Sequence, residues 1–323
     1  MVTQRTQELR ESEALYRLLT EEALDVIWKT DRDLRITYIS PADERLRGFK
    51  AKEVIGQQVF DLFTEDGVAS VKALIEKRSE GAPSRTAPDE YLTFNAQHRT
   101  KNAGVLWGEV IAKRDFDARG EIVGYHGTTR ECTDRVRLES EVRQLAFFDP
   151  LTNLPNRRLL DDRLRQSIAV IKRSGNYGAV IVLDLDNFKI LNDLHGHDVG
   201  DFLLLEVARR LVHCVRQKDT VARFGGDEFV VILDELSTVK LMSLRQATEV
   251  AEKIRNSLAA PYLLKVMQTD QAEAVVQHQC SASLGVVLFL GQEASQHDLL
   301  KWADNAMYQA KAAGRNVIRF SDR

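Results

Sequence analysis

The sequence predicts an α+β protein of two domains joined by a helix. Three observations carry that expectation. At 323 residues the chain exceeds the usual length of one domain. Its first part sets short helical pieces between a strand pair and three consecutive strands, whereas its second part interleaves long amphipathic helices with apolar strands. Between them lies the charged stretch "TDRVRLESEVRQLAFFD", with Leu138, Val142 and Leu145 at four- and three-residue spacing. The boundaries read as a helical lead-in over 1–12, a first domain over 13–134, a linker helix over 135–147 and a second domain over 148–323.

In the first domain, Leu15, Leu18, Leu19 and Ala23 mark one face of a helix from Ser12 to Leu24, which reads as entered from an upstream segment. "DVIWKTDRDLRITYIS" alternates apolar and polar residues on either side of Asp31-Arg32-Asp33, the pattern of a hairpin. Short helical pieces follow through "PADERLRGFKAKEVIGQQVFDLF", then a longer helix through "GVASVKALIEKRSEG". Three strands come next, "EYLTFNAQHRT", "VLWGEVIAKRDF" and "IVGYHGTTREC", separated by turns at Asn102–Gly104 and Asp117–Gly120. His98 and His126 are read as surface residues of these strands, and Trp28 and Trp107 as core. The linker's three apolar residues fit a short coiled-coil seam or an ordinary amphipathic helix.

The second domain opens with a helix through "NRRLLDDRLRQSIAVIKRSG" and the strand "YGAVIVLDLD". A turn, a helix through "GDFLLLEVARRLVHCVRQ", a hairpin around "RFGGDEFVVIL" and a helix through "MSLRQATEVAEKIRNSL" follow. The strand "QCSASLGVVLF", a helix "HDLLKWADNAMYQAKAAG" and a last strand "NVIRF" complete the domain. Helices returning over a mostly antiparallel sheet predict a two-layer ferredoxin-like, palm-type α/β core with additions.

Composition excludes several function classes. A hydrophobic content of 44% with 29% charged residues is that of an ordinary globular chain, and the net charge of -3 argues against a nucleic-acid-binding surface. Cys132, Cys214 and Cys280 are widely spaced, which fits a reducing compartment without a disulfide framework. No apolar run reaches membrane-spanning length, so a cytoplasmic chain, alone or as a piece of a larger tethered protein, is expected.

The chemistry concentrates at two places. Gly225-Gly226 suits a hairpin tip that approaches a phosphate, and Asp227 and Glu228 begin the return strand on opposite faces. The apolar strand "AVIVLDLD" ends on Asp184 and Asp186, whose alternation puts both on one face, where a cation or solvent is needed to make their proximity tolerable. Such an oxygen-rich set suits magnesium and phosphoryl or nucleotidyl transfer. An ordinary hairpin with a polar tip is the plain alternative for the glycines and acids taken alone.

Two resemblances refine this reading. "IWKTDRDLRITYISPADERLRGF", "EVIGQQVFDLF", "HRTKNAGVLWGEV" and "DARGEIVGYHGTTRECTD", in that order, resemble the PAS sensor fold, an antiparallel sheet with small helices. That likeness implies a sensory ligand of unknown identity. The helix over 66–80 lacks the histidine of haem-binding members, and the flavin-linking cysteine motif is absent. "FDPLTNLPNRR", "VLDLDNFKILNDLHGHDVGD", "RFGGDEF", "SASLGV" and "WADNAMYQAKAAGRN" resemble the GGDEF family of diguanylate cyclases, which join two GTP into cyclic di-GMP and two pyrophosphates.

The second resemblance implies the following roles. Asp184, the Leu185 carbonyl and Asp227 would hold Mg2+ or Mn2+, with Asp227 nearest the attacking 3′-hydroxyl and Glu228 at a second metal position. Asn192 and Asp201 would read guanine, and His197, Gly225 and Gly226 would contact substrate. Phe188 and Lys189 by backbone, with Lys311 and Arg315 by side chain, would cradle the triphosphate; the two cations are taken as i,i+4 neighbours on the last helix. Arg216-x-x-Asp219 matches the spacing of an inhibitory product site, completed by Lys253 or Arg245; its plain alternative is a surface ion pair. Catalysis would need a homodimer through the PAS domain and linker helix. A silent GGDEF receptor for GTP or cyclic di-GMP is the rival expectation.

Overall fold

In the computed structural model the described residues are 20, 22–81, 91–267, 273–291 and 294–321. They form two compact units, divided between Ser140 and Glu141. Most of the helix expected over Ser12 to Leu24 lies outside the described residues, while residues 22–24 are not helical and Leu24 is exposed.

The first unit is built on a five-stranded antiparallel sheet. Strand β1 (Val26–Asp31) turns back into β2 (Ile36–Ile39), and the Asp31 carboxylate fixes the turn by accepting from the Asp33 and Arg35 amides at 2.9 and 2.8 Å. Helices α1 (Ala42–Arg47) and α2 (Ala51–Val54), a 3-10 turn at Val59–Leu62 and helix α3 (Glu65–Gly81) follow. Strands β3 (Leu92–Arg99), β4 (Val105–Phe116) and β5 (Ile122–Glu131) complete the sheet in the order β2-β1-β5-β4-β3. Val26, Ile36, Ile39, Ala42, Val54 and Leu62 are its main buried cluster. Trp28 packs partly buried against that cluster, and its indole N–H donates to Thr129 Oγ1 at 3.0 Å.

The surface reading of His98 is corrected. Its side chain is buried at 2% exposure, with Nδ1 3.2 Å from the Arg47 guanidinium. Arg47 is itself buried and paired with Asp43, one turn earlier on α1. Alternation turns His98 inward on the face of Leu92, Phe94 and buried Ala96, while Thr93, Asn95, Gln97 and Arg99 form the outer face. His126 conforms to the surface reading, exposed on β5 with Asp115 2.6 Å away.

Helix α4 (Thr133–Phe147) has no buried residue, and Leu138, Val142 and Leu145 are exposed. The division between the units falls inside it.

The second unit holds helix α5 (Arg157–Ser174), strand β6 (Gly178–Asp186), helices α6 (Phe188–His195) and α7 (His197–Cys214), and the hairpin β7 (Thr220–Gly225) and β8 (Glu228–Leu233). Helix α8 (Lys240–Ala259), strands β9 (Tyr262–Met267), β10 (Glu273–His278) and β11 (Ser281–Phe289), helix α9 (Gln296–Ala312) and strand β12 (Ile318–Phe320) follow. The main sheet runs β12-β11-β6-β8-β7, antiparallel except for the β11–β12 pair. Central β6 is buried along all nine residues. Ala179, Ile181, Leu183 and Leu185 face the cluster built with α7 and α8. Val180 and Val182 face the cluster built with α5 and α9. Helices α7 and α8 thus form the expected layer, and α5 and α9 are additions on the opposite face.

Two elements differ from expectation. The turn expected between Asp186 and Gly200 is largely helix α6, whose apolar Phe188 and Leu191 are buried three residues apart. The two-stranded sheet β9–β10 was not anticipated, because "YLLKVM" and "EAVVQH" are short and no glycine or proline turn separates them.

Burial, with help from Arg47, pushes the His98 pKa down to about 3, so the folded state keeps this imidazole neutral. The unfolded chain takes up a proton there below its ordinary pKa, so stability present at neutral pH is lost as pH falls towards the folded value. The expected loss in the first unit is at most about 1.4 kcal/mol per pH unit between about pH 6.5 and 3. Hydrogen exchange of the β3 and β4 amides, corrected for intrinsic rates, measures it at about pH 7 and pH 5. His98→Gln should flatten the difference; an unchanged pH slope would clear His98 of the effect.

Candidate active site

The site forms where fully buried β6 runs out at Asp184, Leu185 and Asp186. Glu228, first residue of β8, is the cross-strand partner of Asp184. Between β7 and β8 the chain reverses at Gly225-Gly226, and Gly226 takes φ of 53°, a left-handed conformation that costs glycine little. The tip is tied down from three directions. Arg223 donates from Nε and Nη2 to the Gly226 carbonyl at 3.0 and 2.7 Å. Its Nη1 donates to Asp149 Oδ1 at 3.0 Å, and the Leu185 amide donates to the Asp227 carbonyl at 3.3 Å. Asp149 also accepts from the Thr152 amide and hydroxyl, so "DPLTNLPN" is a closed loop fastened to the hairpin.

Electrostatics make the end of β6 a place for positive charge. Asp184 is nearly buried and lies 2.8 Å from the Lys311 ammonium. Burial raises its pKa, Lys311 opposes the rise, and Asp227 and Asp186 add to it. Glu228 is likewise raised, by burial first and then by Asp184, Asp304 and Asp227. Asp304 was not singled out from sequence; its signal was its position two helical turns before Lys311 on α9. Among the described residues no three acidic, imidazole or thiol groups are gathered to hold a metal ion, and Lys311 is the cation in contact with Asp184. The donor chemistry nevertheless fits a hard divalent ion: carboxylates and a carbonyl, with mutual repulsion that such an ion would relieve.

Asp186 meets protein donors in place of the expected cation or solvent. Its Oδ1 accepts from the Ser283 hydroxyl at 2.7 Å, and Oδ2 accepts from the Ser281 hydroxyl at 2.6 Å and the Asn316 amide at 3.1 Å. Protein donors satisfy this buried carboxylate.

Phe188 and Lys189 open α6 two and three residues after Asp186, and the backbone N–H groups of a helix's first turn have no partner within the helix. Asn192 follows one turn later, while His197 and Asp201 lie exposed in the first turns of α7. Asn192 Oδ1 is buried without a hydrogen-bond partner among the described residues. It rests against Gly200, where a methyl group would stand 1.9 Å from that oxygen.

The i,i+4 reading of Lys311 and Arg315 is corrected. Helix α9 ends at Ala312, and Gly314, Arg315 and Asn316 take φ of 110°, 63° and 49°. Arg315 therefore leaves the helix face and sits exposed in a left-handed turn. Arginine held there costs about 1–2 kcal/mol, whereas asparagine enters the left-handed region more readily.

Arg216 and Asp219 bracket the turn into β7, at the strand end opposite the glycines. Asp219 accepts from the Arg216 amide at 2.9 Å and the Asp234 amide at 3.2 Å, so the carboxylate is built into the turn and the Arg216 guanidinium is exposed. Lys253, one of the two candidates to complete that site, instead donates to the His213 and Cys214 carbonyls, both at 3.0 Å, closing the end of α7. Arg245, the other, is exposed and paired with Glu249.

The close approach at Gly200 gives a direct check. Gly200→Ala should force Asn192 aside and destabilise the second unit by about 1–3 kcal/mol, read from urea denaturation. An unchanged midpoint would mean that Asn192 moves freely.

Comparison with known proteins gives the following. The family described as "Diguanylate cyclase, GGDEF domain" matches residues 146–317, and the PAS fold matches residues 14–131. The bifunctional diguanylate cyclase/cyclic di-GMP phosphodiesterase MucR of Pseudomonas aeruginosa is 43% identical over 188 residues, 58% of this chain and 25% of that protein. Diguanylate cyclase DgcP of the same organism is 34% identical over 250 residues, 77% of this chain and 33% of that protein. The chain thus spans a third or less of the length of these two curated relatives. The crystal structure of the coiled coil and GGDEF domain of DgcB from Caulobacter crescentus, in complex with c-di-GMP, is 30% identical, with a TM-score of 0.50 over 58% of this chain and 92% of that one.

Proposed function

This chain belongs to the GGDEF family and carries a PAS fold ahead of the GGDEF domain, and from that premise we propose that it condenses two GTP into cyclic di-GMP, releasing two pyrophosphates. The observation that carries the reading is the set of mutually repelling carboxylates at the end of β6, beside a glycine hairpin tip and the start of α6. Asp184, the Leu185 carbonyl and Asp227 would hold a divalent cation, Mg2+ or Mn2+, with Glu228 at a second position. When bound, that ion lowers the cost of ionising the attacking 3′-hydroxyl and offsets charge at the α-phosphate.

The chain's own groups bind and orient the substrate. The first N–H groups of α6, at Phe188 and Lys189, with Lys311 and Arg315, hold the triphosphate. Gly225 and Gly226 let the backbone approach it, and the Arg223 contacts keep that tip in place. The buried Asn192 oxygen accepts from a guanine donor, Asp201 accepts from the same pairing edge, and His197 lines the approach.

Each domain holds one GTP, so catalysis needs two copies facing one another. Exposed Leu138, Val142 and Leu145 on α4 support a homodimer through the linker helix and PAS unit, whose ligand regulates the assembly. We place the reaction in the cytoplasm, where GTP is available; the three free cysteines fit a reducing compartment.

Pyrophosphate release from GTP by the full chain with Mg2+ tests the activity. The parent should release it, and Asp184→Asn should lower the rate by more than about 100-fold while keeping the fold, because a neutral amide is a poor ligand for a hard cation. Parent-like turnover in the variant would remove Asp184 from the mechanism. Binding of GTP without any release by the parent would instead make the protein a receptor.

Product feedback is the second expectation. Arg216 can grip the Hoogsteen edge of guanine, and the Asp219 carboxylate keeps lone pairs beyond its two backbone contacts. Cyclic di-GMP should slow the parent, and Arg216→Ala should weaken that inhibition by about 5–150-fold with little change in initial turnover. Equal inhibition of parent and variant would leave Arg216 a surface residue.

A further inference from the structure

The two carboxylates at the end of β6 have different partners. Asp184 meets Lys311 directly at 2.8 Å. Asp186 does not meet Arg315, yet it reaches the turn that carries it. After α9 three successive residues, Gly314, Arg315 and Asn316, have positive φ. Two of them bear side chains, and a left-handed run of this kind persists only where its surroundings over-determine it.

The fastenings are visible one by one. The Arg315 amide donates to the Ala310 carbonyl at 3.2 Å, closing the helix end. Beyond the turn, the Leu284 amide donates to the Val317 carbonyl at 3.0 Å, which begins the parallel β11–β12 pairing. Between these points Asn316 is gripped from both sides: its amide donates to Asp186 Oδ2, and its side-chain oxygen accepts from Arg255 Nη1 at 3.2 Å. Asp186 is held still in turn by Ser281 and Ser283, and it is 5% exposed. Cross-strand register sets Ser281 opposite Asp186 and Ser283 opposite Asp184, so both hydroxyls follow from the strand pairing.

We propose that Asp186 is a positioning residue for the triphosphate: through Asn316 it clamps the left-handed turn that presents Arg315, while Asp184 orients Lys311. This rests on the reading above in which Arg315 contacts substrate phosphates. It explains why a buried carboxylate stands two residues from Asp184 with its oxygens already occupied by protein donors. It also explains why arginine and asparagine are tolerated where glycine would fit more easily.

The test compares binding of 3′-deoxy-GTP, which lacks the attacking hydroxyl, with binding of GMP, in the full chain with Mg2+. Asp186→Ala should weaken 3′-deoxy-GTP about tenfold, the scale of one charge-assisted contact, and leave GMP within about twofold. Arg315→Ala should do the same, and the double variant should be no worse than either single one. Asn316→Gly placed in the Asp186→Ala background should recover 3′-deoxy-GTP binding, because glycine adopts the turn without the clamp. Asp186→Ser keeps a polar group for the serines but is too short to reach Asn316, so it carries the same expectation if Asp186→Ala does not fold. Equal weakening of both nucleotides, no effect of the Asp186 variants where Arg315→Ala has one, or additive losses would each overturn the clamp. A parent that binds GMP and 3′-deoxy-GTP equally would overturn it at its root, since no triphosphate contact would then exist. A parent that binds neither would refute the GTP-dependent reading itself.

Discussion

Carboxylates buried at the end of a fully apolar strand are the constraint around which the second unit is arranged. Strand β6 is covered on both faces and paired on both edges, so its backbone and side chains have no access to water until it ends. A carboxylate placed there must find donors or take up a proton. Asp184 finds Lys311 from α9, and Asp186 finds two hydroxyls of β11 and a turn amide. The helix on one face and the strand on one edge are thereby tied to the same point. What remains uncompensated shows as raised pKa values at Asp184 and Glu228, a repulsion that the proposed divalent cation would relieve.

The hairpin tip needs a different kind of support. Two glycines allow the reversal but do not hold it, because glycine has the most conformational freedom to lose. Arg223 supplies the missing rigidity by spending three of its donors on one carbonyl and one carboxylate. That carboxylate, Asp149, belongs to the loop directly following α4, and the Asn156 side chain in the same loop donates to the Ala146 carbonyl of that helix. The hairpin that carries Asp227 is therefore fastened through one arginine to the loop that ends the linker helix, within a single compact unit.

Much of this was legible in the sequence for reasons that can be named. The glycine pair and flanking β-branched residues required a hairpin at Gly225–Gly226, and the alternating tail of β6 put Asp184 and Asp186 on one face. The helix at Phe188–His195 was read as a turn because its polar residues and the following His-Gly-His outweighed one short apolar repeat. For His98 the polar side chain is weighed above the register, although the alternation of β3 puts it on the inner face with Leu92, Phe94 and Ala96. Arg315 was misread because a helical period was continued past the point where Gly314 ends it.

By itself the sequence determined which residue types could gather: hard oxygen donors at a strand end, a glycine tip, and basic residues late in the chain. Those are local consequences of period, turn chemistry and side-chain valence. Tertiary structure alone decided which acid meets which donor, since Ser283 lies 97 residues and Asn316 130 residues from Asp186 along the chain. It also decided that His98 is buried against Arg47, 51 residues away. Partners that far apart are brought together only by strand register and helix packing, and a slip of one residue in β3 would turn His98 from the buried face to the opposite one.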